Sequence, residues 1–231
     1  MLSVDGFEKL RASSGSNPGG VYQDPTTGQR YHIKRPRTER QAVNEVMAST
    51  LYAEMGFDAL QYEFTTDGRI ASKFREGLPE RSGPDDLIGV DAVMETFLPS
   101  IWIANFDVFG LVYDNLLYEP PMPRPVLLDF GGAFDTRAQG GSKPFPGDEL
   151  RGLEGFLDPS INSEAHRVYQ HLTFEQFESS KDRVLRLHEQ KVQEAVLTAA
   201  ANSSVVGTER VRQLRSRQRV VEETEYDDLR L

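Results

Sequence analysis

The segment GSNPGGVYQDPTTGQRYHIKRP, residues 15–36, constrains the fold of this chain more than any other. Two short alternating runs, GGVYQD and YHIKR, flank DPTTGQR, and the Thr-Gly pair in that linker is typical of a hairpin turn. The pattern predicts a β-hairpin with a glycine-rich entry and with Lys34 at the end of its second strand. Such an entry is either an ordinary turn or a place where backbone N–H groups can approach phosphate oxygens.

A helix is predicted directly after the hairpin, over TERQAVNEVMASTLYAEMG, residues 38–56. Thr38 and Gln41 are spaced as a capping box, and Gly56 follows the last apolar residue as a C-cap. Between them the apolar residues recur at helical spacing: Val43, Val46, Met47 and Leu51. This strand-then-helix order indicates an α+β chain.

Two further short strands are predicted in LQYEFTTDGRIASKF, around the Asp67-Gly68 turn. REGLPERSGPDDL then interrupts the pattern with glycine, proline and charge, which favours a boundary between two lobes near residues 75–88. We therefore expect a bilobal α+β fold, divided as follows: an N-terminal segment (1–13), a small β-rich lobe (14–80), a helical lobe (81–205), and a C-terminal helix with an acidic tail (206–231).

The second lobe has a helical pattern for most of its length. DAVMETFLPSIWIANF predicts an apolar helix interrupted near Pro99, with Trp102 in the core, and NLLYEPPMPRPVLLDF predicts two strands around a proline-rich turn. Residues 173–202 are predicted to be mostly helical. The basic stretch RVRQLRSRQR near the C-terminus is expected to form a solvated helix that pairs with the acidic tail behind it.

Composition excludes several classes of protein and site. The 231 residues carry a net charge of −10, which argues against broad nucleic-acid binding. Cysteine is absent, and the four histidines lack metal-ligand spacing, so structural zinc is not expected. No stretch approaches the roughly 20 apolar residues of a membrane span. We expect a soluble protein, either cytoplasmic or secreted without a classical signal peptide, of unknown oligomeric state.

The polar residues that could take part in a reaction follow one another in a definite order. After the glycine-rich entry come Lys34 on a strand, Glu45 on a helix, Asp107 and Asn115 in ANFDVFGLVYDN, and Asp129 in LLDFGG. This is the order of parts in an ATP-dependent phosphotransferase, where a lysine binds the α- and β-phosphates and a helix glutamate orients it. Taken singly, Lys34 and Glu45 are more often solvated residues.

The acidic and amide residues of the second lobe fit the remaining roles. Asn115 and Asp129 offer the hard oxygen ligands that Mg²⁺ prefers. Asp107 is the candidate to accept or orient the proton of an attacking hydroxyl, with Asp114 as its competitor. The alternatives are structural: LLDFGG as the exit of a hairpin, and Asp107 and Asn115 as caps of helices or turns.

Over residues 14–135 the chain resembles atypical bacterial protein-kinase-like proteins, similar to HipA-type toxin kinases and minimal secreted effector kinases. The resemblance lies in GSNPGG, YHIKRP, VNEVMASTLY, ANFDVFGLVYDNLL and LLDFGGAF. It implies a small β-rich lobe over a helical lobe, with ATP and Mg²⁺ between them. It also implies that Lys34 is the ATP lysine with Glu45 as its partner, that Asp107 is the catalytic aspartate, and that Asn115 and Asp129 are the metal ligands. The phosphate loop that it implies consists of Ser14, Gly15, Ser16, Asn17, Gly19 and Gly20.

The resulting expectation is a protein Ser/Thr kinase that acts as a toxin or delivered effector on a protein substrate. The chain has little room for the extra helices with which small-molecule kinases enclose their substrates. A small-molecule kinase, a kinase-fold AMP or glutamate transferase, and a pseudokinase binding module remain the alternatives, because function resides in the site and not in the fold.

Overall fold

A five-stranded antiparallel sheet forms the first part of the fold. A computed structural model describes residues 1–12, 17–150, 153–200 and 207–229. In that sheet the strand order is β1-β2-β3-β6-β5. The strands are β1 (Glu8–Ala12), β2 (Gly19–Gln23), β3 (Arg30–Lys34), β5 (Glu63–Phe64) and β6 (Ile70–Lys73). The edge strand β1 lies within the expected N-terminal segment, and the extent of that segment stays a prediction.

The β2–β3 hairpin confirms the prediction from the glycine-rich segment. Gly19 pairs with Lys34 and Gln23 pairs with Arg30. In the connecting turn, Asp24 accepts hydrogen bonds from the Thr26 N–H at 2.9 Å and the Thr27 hydroxyl at 2.6 Å. The hairpin places Lys34 beside the glycine-rich entry, on a strand flanked on both sides.

Helix α1 (Glu39–Glu54) follows, as predicted. Thr38 caps it by accepting a hydrogen bond from the Gln41 N–H at 3.1 Å. The reciprocal half of the predicted capping box is wrong: the Gln41 side-chain oxygen accepts instead from the Arg37 N–H at 3.0 Å. The Gln41 amide nitrogen reaches Ala138 O at 3.1 Å, so this side chain joins the helix to a distant loop. Gly56, with φ of +86°, follows the helix end as expected.

A second, three-stranded sheet lies beneath α1, in the order β4-β8-β7. Its strands are β4 (Asp58–Ala59), β7 (Leu116–Leu117) and β8 (Val126–Leu127). β7 and β8 are antiparallel, as the proline-rich turn predicted, whereas β4 pairs with β8 in parallel. Since β4 precedes the expected lobe boundary and β8 follows it, the two proposed lobes share this sheet. The boundaries themselves stay predictions.

Eight further helices follow in the described part of the chain. They are α2 (Pro84–Leu87), α3 (Asp91–Met94), α4 (Phe97–Trp102), α5 (Leu153–Leu157), α6 (Ser163–Tyr169), α7 (Phe174–Leu185), α8 (Glu189–Ala200) and α9 (Gly207–Glu223). A 3₁₀ turn, Tyr226–Leu229, ends the described residues. The expected bilobal α+β architecture, a small β-rich part and a helical part, is confirmed. Throughout the described ranges, every helix is too short or too polar to traverse a lipid bilayer.

The predicted interruption of the apolar helix lies close to Pro99, at residues 95–96. Helix α3 ends at Met94 and α4 begins at Phe97, so the interruption precedes Pro99. Pro99 lies in the first turn of α4, where its missing N–H has no intrahelical partner to lose. Trp102 is fully buried, as expected, and its indole N–H donates to Leu214 O at 3.0 Å.

The basic helix α9 corrects the expectation of a solvated helix. Arg210 and Arg217 are buried, with 6% and 1% of their surface exposed. Arg217 donates to four backbone carbonyls: those of Ile101, Trp102, Pro146 and Glu149. The tail behind the helix packs on α7 through Tyr226 and Phe177, and the Tyr226 hydroxyl donates to Leu172 O, just before that helix, at 2.8 Å. Charge alone suggested a solvated face, but these arginines satisfy carbonyls that would otherwise be buried without a donor.

Arg217→Met is expected to lower the free energy of unfolding by about 1.5–3 kcal/mol, the range for hydrogen bonds made by a charged group. Methionine fills similar volume but leaves the four carbonyls without their donor. Denaturant unfolding measures the change. Arg212→Met is the matched control, because Arg212 lies on the exposed side of the same helix and, among the residues that the structure describes, its ion pair is with Glu209 at 2.6 Å. An equal loss in both variants would contradict the assignment.

Candidate active site

The β7–β8 hairpin brings Asn115 and Asp129 to the same end of the small sheet. Leu116 pairs with Leu127, and the Leu128 N–H donates to Asn115 O at 2.8 Å. Asn115 therefore lies just before β7, and Asp129 lies just after β8 at the same end of the hairpin. The predicted pair of strands thus places both polar side chains at one edge of the sheet.

Lys34, at the end of β3, pairs with one carboxylate from α1 and one from the loop after β8. Its Nζ lies 2.6 Å from Glu45 Oε2 and 3.2 Å from Asp129 Oδ2. The Lys34 and Glu45 side chains are almost completely buried, whereas Asp129 keeps 41% of its side chain exposed. The structure thus joins three of the predicted residues, from β3, α1 and the loop after β8.

The electrostatics of this cluster favour a charged lysine. Burial lowers the pKa of Lys34, but Asp129 and Glu45 outweigh it and raise the pKa well above the usual value. Burial raises the pKa of Glu45 to about 7, and Lys34 offsets only part of that shift. For Asp129 burial is opposed by Lys34 and the Gly131 N–H, which together lower the pKa. Asp129 is therefore ionised at neutral pH and open to solvent.

The two glycines of LLDFGG are required by close packing. A Cβ on Gly131 would lie 2.7 Å from Gln41 Nε2 and 3.0 Å from Glu45 Oε1. A Cβ on Gly132 would lie 3.0 Å from the Cβ of Asp107. The loop after Asp129 therefore runs between α1 on one side and the Asp107 loop on the other, and only glycine allows both approaches.

Asp107 is bound to Asn115 by two hydrogen bonds. The Asn115 amide nitrogen donates to Asp107 O at 2.7 Å and to Asp107 Oδ2 at 3.2 Å. Burial and the nearby Asp129 raise the pKa of Asp107 to about 6, and the bond from Asn115 opposes the shift. A carboxylate with a pKa near neutrality suits proton transfer.

The seven residues between Asp107 and Asn115 form a loop with two left-handed positions, Gly110 at φ +73° and Tyr113 at φ +59°. These turns let the chain return so that Asn115 contacts Asp107. The competitor Asp114 lies in the same loop, exposed to solvent and close to Gly110.

A cavity of about 250 Å³ opens beside Asp107. Its walls include Phe106, Arg137, Lys143 and Ile161, but Asp114 is not among its described lining residues. A group bound there would lie next to the Asp107 carboxylate. This placement favours Asp107 over Asp114 as the residue that meets an acceptor.

The glycine-rich entry is only partly described. Ser14, Gly15 and Ser16 lie outside the described residues, and Asn17 is buried. A Cβ on Gly19 would clash with Ile33 O, and one on Gly20 with Arg11 O. The close approach of neighbouring strands is therefore sufficient reason for both glycines, and their phosphate role stays a prediction.

Sequence reasoning missed two residues that support the site. The Tyr62 ring lies 4.8 Å from Lys34 Nζ, and its hydroxyl donates to Leu128 O at 2.8 Å. Lys143 donates to Ala104 O at 2.5 Å and to Gly132 O, so it ties the Asp107 loop to the glycine loop. Burial and Arg137 lower the pKa of Lys143 to about 7, against the pull of Asp107. Neither residue belongs to a sequence motif that would identify it as part of the site.

The polar residues fit a divalent cation. Near Lys34, the carboxylates of Glu45 and Asp129 face one ammonium group. Asp129 also raises the pKa of Asp107, because these two carboxylates repel. A divalent cation would relieve that repulsion. The Asn115 N–H groups are used on Asp107, so its side-chain oxygen is the atom that can bind a metal. Together with the Asp129 carboxylate it forms a set of hard oxygen donors suited to Mg²⁺.

Comparison with solved structures identifies the fold. The proinflammatory kinase CtkA of Helicobacter pylori is 11% identical, with a TM-score of 0.57 over 99% of this chain and 96% of that chain. HipA of the Shewanella oneidensis MR-1 toxin–antitoxin system, solved with HipB and operator DNA, is 12% identical with a TM-score of 0.47, covering 98% and 68%. The Rio2 kinase of Chaetomium thermophilum, in an ADP/Mg²⁺-phosphoaspartate complex, is 15% identical with a TM-score of 0.41, covering 93% and 70%.

The likeness to the H. pylori kinase extends over nearly the whole of both chains, and it confirms the expected atypical kinase-like fold. No family model and no curated protein matches the sequence. The fold is therefore common to both proteins, while the chemistry must be argued from the side chains.

Proposed function

We propose that this protein is an ATP- and Mg²⁺-dependent phosphotransferase that acts on Ser or Thr hydroxyls of a protein substrate. The observation that carries the proposal is Lys34, buried between Glu45 and Asp129 at 2.6 and 3.2 Å, beside the Asp107–Asn115 pair. A buried cation held by two carboxylates is poorly explained as a stabilising device, because desolvation offsets much of its Coulomb energy. It is well explained as a prepared phosphate contact.

Each residue of the cluster takes one role in the proposed reaction. Lys34 binds the α- and β-phosphates, and Glu45 orients the lysine through its buried carboxylate. Asp129 and Asn115 would hold Mg²⁺, which when bound neutralises charge on the phosphate oxygens. Asp107 orients the acceptor hydroxyl and takes up its proton. With a pKa of about 6, Asp107 is mostly ionised at neutral pH and can accept that proton.

The cavity beside Asp107 supports a protein acceptor. At about 250 Å³ it lies below the usual range of about 300–1,000 Å³ for small-molecule sites. Its apolar rim includes Leu111 and Ile161, which are 78% and 65% exposed. A serine or threonine side chain on a larger partner would fill the cavity while the partner covers that rim. A role as a toxin or delivered effector rests on the motif resemblance alone.

A small-molecule kinase is the second candidate, and one observation favours it. A larger cavity of about 790 Å³ adjoins the first and shares Phe106, Arg137, Ile161 and Asn162 with it. That volume is typical of small-molecule sites. A kinase-fold AMP or glutamate transferase and a pseudokinase binding module keep the same fold but predict different products.

Incubation with ATP and Mg²⁺, followed by intact mass measurement of the protein and of generic protein substrates, tests the proposal. We expect the gain of one or more phosphoryl groups, and Asp129→Asn should abolish the gain while the melting transition stays cooperative. Addition of a whole AMP group would identify an AMP transferase. An unchanged mass together with absent Mg·ATP binding in calorimetry would overturn the proposal, as would undiminished transfer in Asp129→Asn.

A further inference from the structure

Asp135, six residues after Asp129, contacts two separate helices. Its Oδ1 accepts a hydrogen bond from Asn44 Nδ2 at 2.8 Å on α1. Its Oδ2 lies 2.9 Å from Arg210 Nη2 on α9, and 3.4 Å from Arg40 Nη1 on α1. One carboxylate thus joins the loop after the proposed metal ligand to the first and the last long helix.

Asp135 contacts α1 next to Glu45, the residue that pairs with Lys34. Asn44 directly precedes Glu45, and both side chains are fully buried. The Asn44 amide also donates to Thr136 Oγ1 at 3.0 Å. Because neighbouring residues of a helix move together, a shift of α1 that breaks the Asn44 contacts also moves Glu45 away from Lys34.

The contact on α9 is a buried ion pair. The Arg210 side chain is 7% exposed, and its guanidinium lies 5.1 Å from the Phe134 ring and 4.7 Å from the Phe145 ring. A guanidinium in such surroundings is costly without a counter-ion, and Asp135 supplies it. Arg40 is half exposed, so its contact contributes less.

We propose that Asp135 and Arg210 are positioning residues, which hold α1 in the place where Glu45 pairs with Lys34. The C-terminal helix therefore acts on the site through Arg210, Asp135, Asn44 and Glu45 in turn. The consequence for nucleotide use rests on the proposed function, whereas the consequence for Lys34 itself does not. Arg210 thereby has a role that its place in a basic helix did not suggest.

The test measures how fast the Lys34 amine is acetylated by an N-hydroxysuccinimide ester of acetic acid, without nucleotide, by peptide mass spectrometry. Lys181 is the internal reference, because it is also buried and donates to Thr224 O at 2.8 Å directly after α9, so a general loosening of that helix would raise labelling at both lysines. In Arg210→Met we expect the Lys34 to Lys181 labelling ratio to rise about tenfold. A tenfold change corresponds to about 1.4 kcal/mol, within the range for coupled neighbours in one network.

Four further variants define the outcome. Asp135→Asn should raise the ratio as Arg210→Met does, and combining both substitutions should add little, because they break the same link. Arg210→Lys, which keeps the charge, should restore much of the parent ratio. Arg212→Met, on the exposed side of α9, should leave it unchanged. A parent-like ratio in Arg210→Met, or an equal rise at Lys34 and Lys181, would overturn the inference.

A second readout separates this inference from the proposed function. If the parent binds Mg·ATP in calorimetry, Arg210→Met and Asp135→Asn should bind it about tenfold more weakly. If the parent does not bind Mg·ATP, the proposed function fails, and the labelling ratio alone still supports or overturns the positioning role.

Discussion

Asp107→Asn is expected to lower kcat for phosphoryl transfer by about 10²–10⁴-fold, the usual contribution of a general acid or base. Asparagine preserves the shape of the side chain and can keep the contact with Asn115, but it cannot accept a proton from the acceptor hydroxyl. Mg·ATP affinity should change little, because in the proposed site the nucleotide contacts belong to Lys34 and Asp129. Steady-state transfer to a protein substrate, with calorimetry for the nucleotide, measures both quantities.

The pH dependence gives this prediction a second, independent readout. Without bound metal the pKa of Asp107 is raised to about 6, and in the proposed reaction its ionised form is the active one. Because Mg²⁺ would relieve the repulsion from Asp129, activity of the parent should rise with pH through a midpoint below this value. The residual activity of Asp107→Asn should lack this acid limb.

Asp114→Asn is the matched control for Asp107→Asn, because Asp114 lies in the same loop but is exposed to solvent. It should keep most of the activity and the acid limb. If Asp114→Asn instead shows the larger loss, the catalytic role belongs to Asp114 and the assignment of Asp107 is wrong.

Lys34→Met is expected to remove Mg·ATP use and to lower the free energy of unfolding by about 3 kcal/mol. Breaking a buried ion pair costs about 3–5 kcal/mol because one charge stays buried without its partner. The lower end applies here, since Glu45, with a pKa already raised to about 7, can take up a proton instead. Urea unfolding and calorimetric titration with Mg·ATP measure the two effects.

The stability loss in Lys34→Met should depend on pH. A carboxyl group whose folded pKa lies above its unfolded value makes the folded state less stable as the pH rises from the unfolded to the folded pKa. Loss of Lys34 raises the pKa of Glu45 further. The difference in stability between variant and parent should therefore be smaller near pH 5 than near pH 8.

Lys73→Met is the control for the lysine substitution, because Lys73 lies on the neighbouring strand β6 and is exposed. It should leave both stability and nucleotide binding near the parent values. A Lys34→Met protein with parent-like Mg·ATP binding would remove Lys34 from the nucleotide site.

Features that depend on adjacent residues were predictable from the sequence. The β2–β3 hairpin, the Asp67-Gly68 turn, the Thr38 cap and the β7–β8 pair all arise from residues close to one another in the chain. The order of Lys34, Glu45, Asp107, Asn115 and Asp129 also pointed to one site. The structure brings these five residues together, while their chemical roles remain for the experiments above to test.

Features that depend on distant packing were not predictable. The Gln41 side chain accepts from the Arg37 N–H and donates to Ala138 O. The second bond forms because a loop almost a hundred residues later lies against α1. The helix break was predicted near Pro99, but it falls before the proline because the chain places that proline in a first turn. Lys143 and Tyr62 reach the site across the fold, and no local pattern distinguishes them from ordinary surface or core residues.

The sequence by itself determined the local elements, the glycine and proline turns, and the order in which the chemical groups occur. Only the tertiary structure decided which charges are buried. Arg210 and Arg217 look like a solvated stripe in sequence, yet the carboxylate and carbonyls that face them come from residues 101–149. The physical reason is that burial of a long charged side chain depends on the partner supplied at its tip, and that partner is set by packing between distant segments.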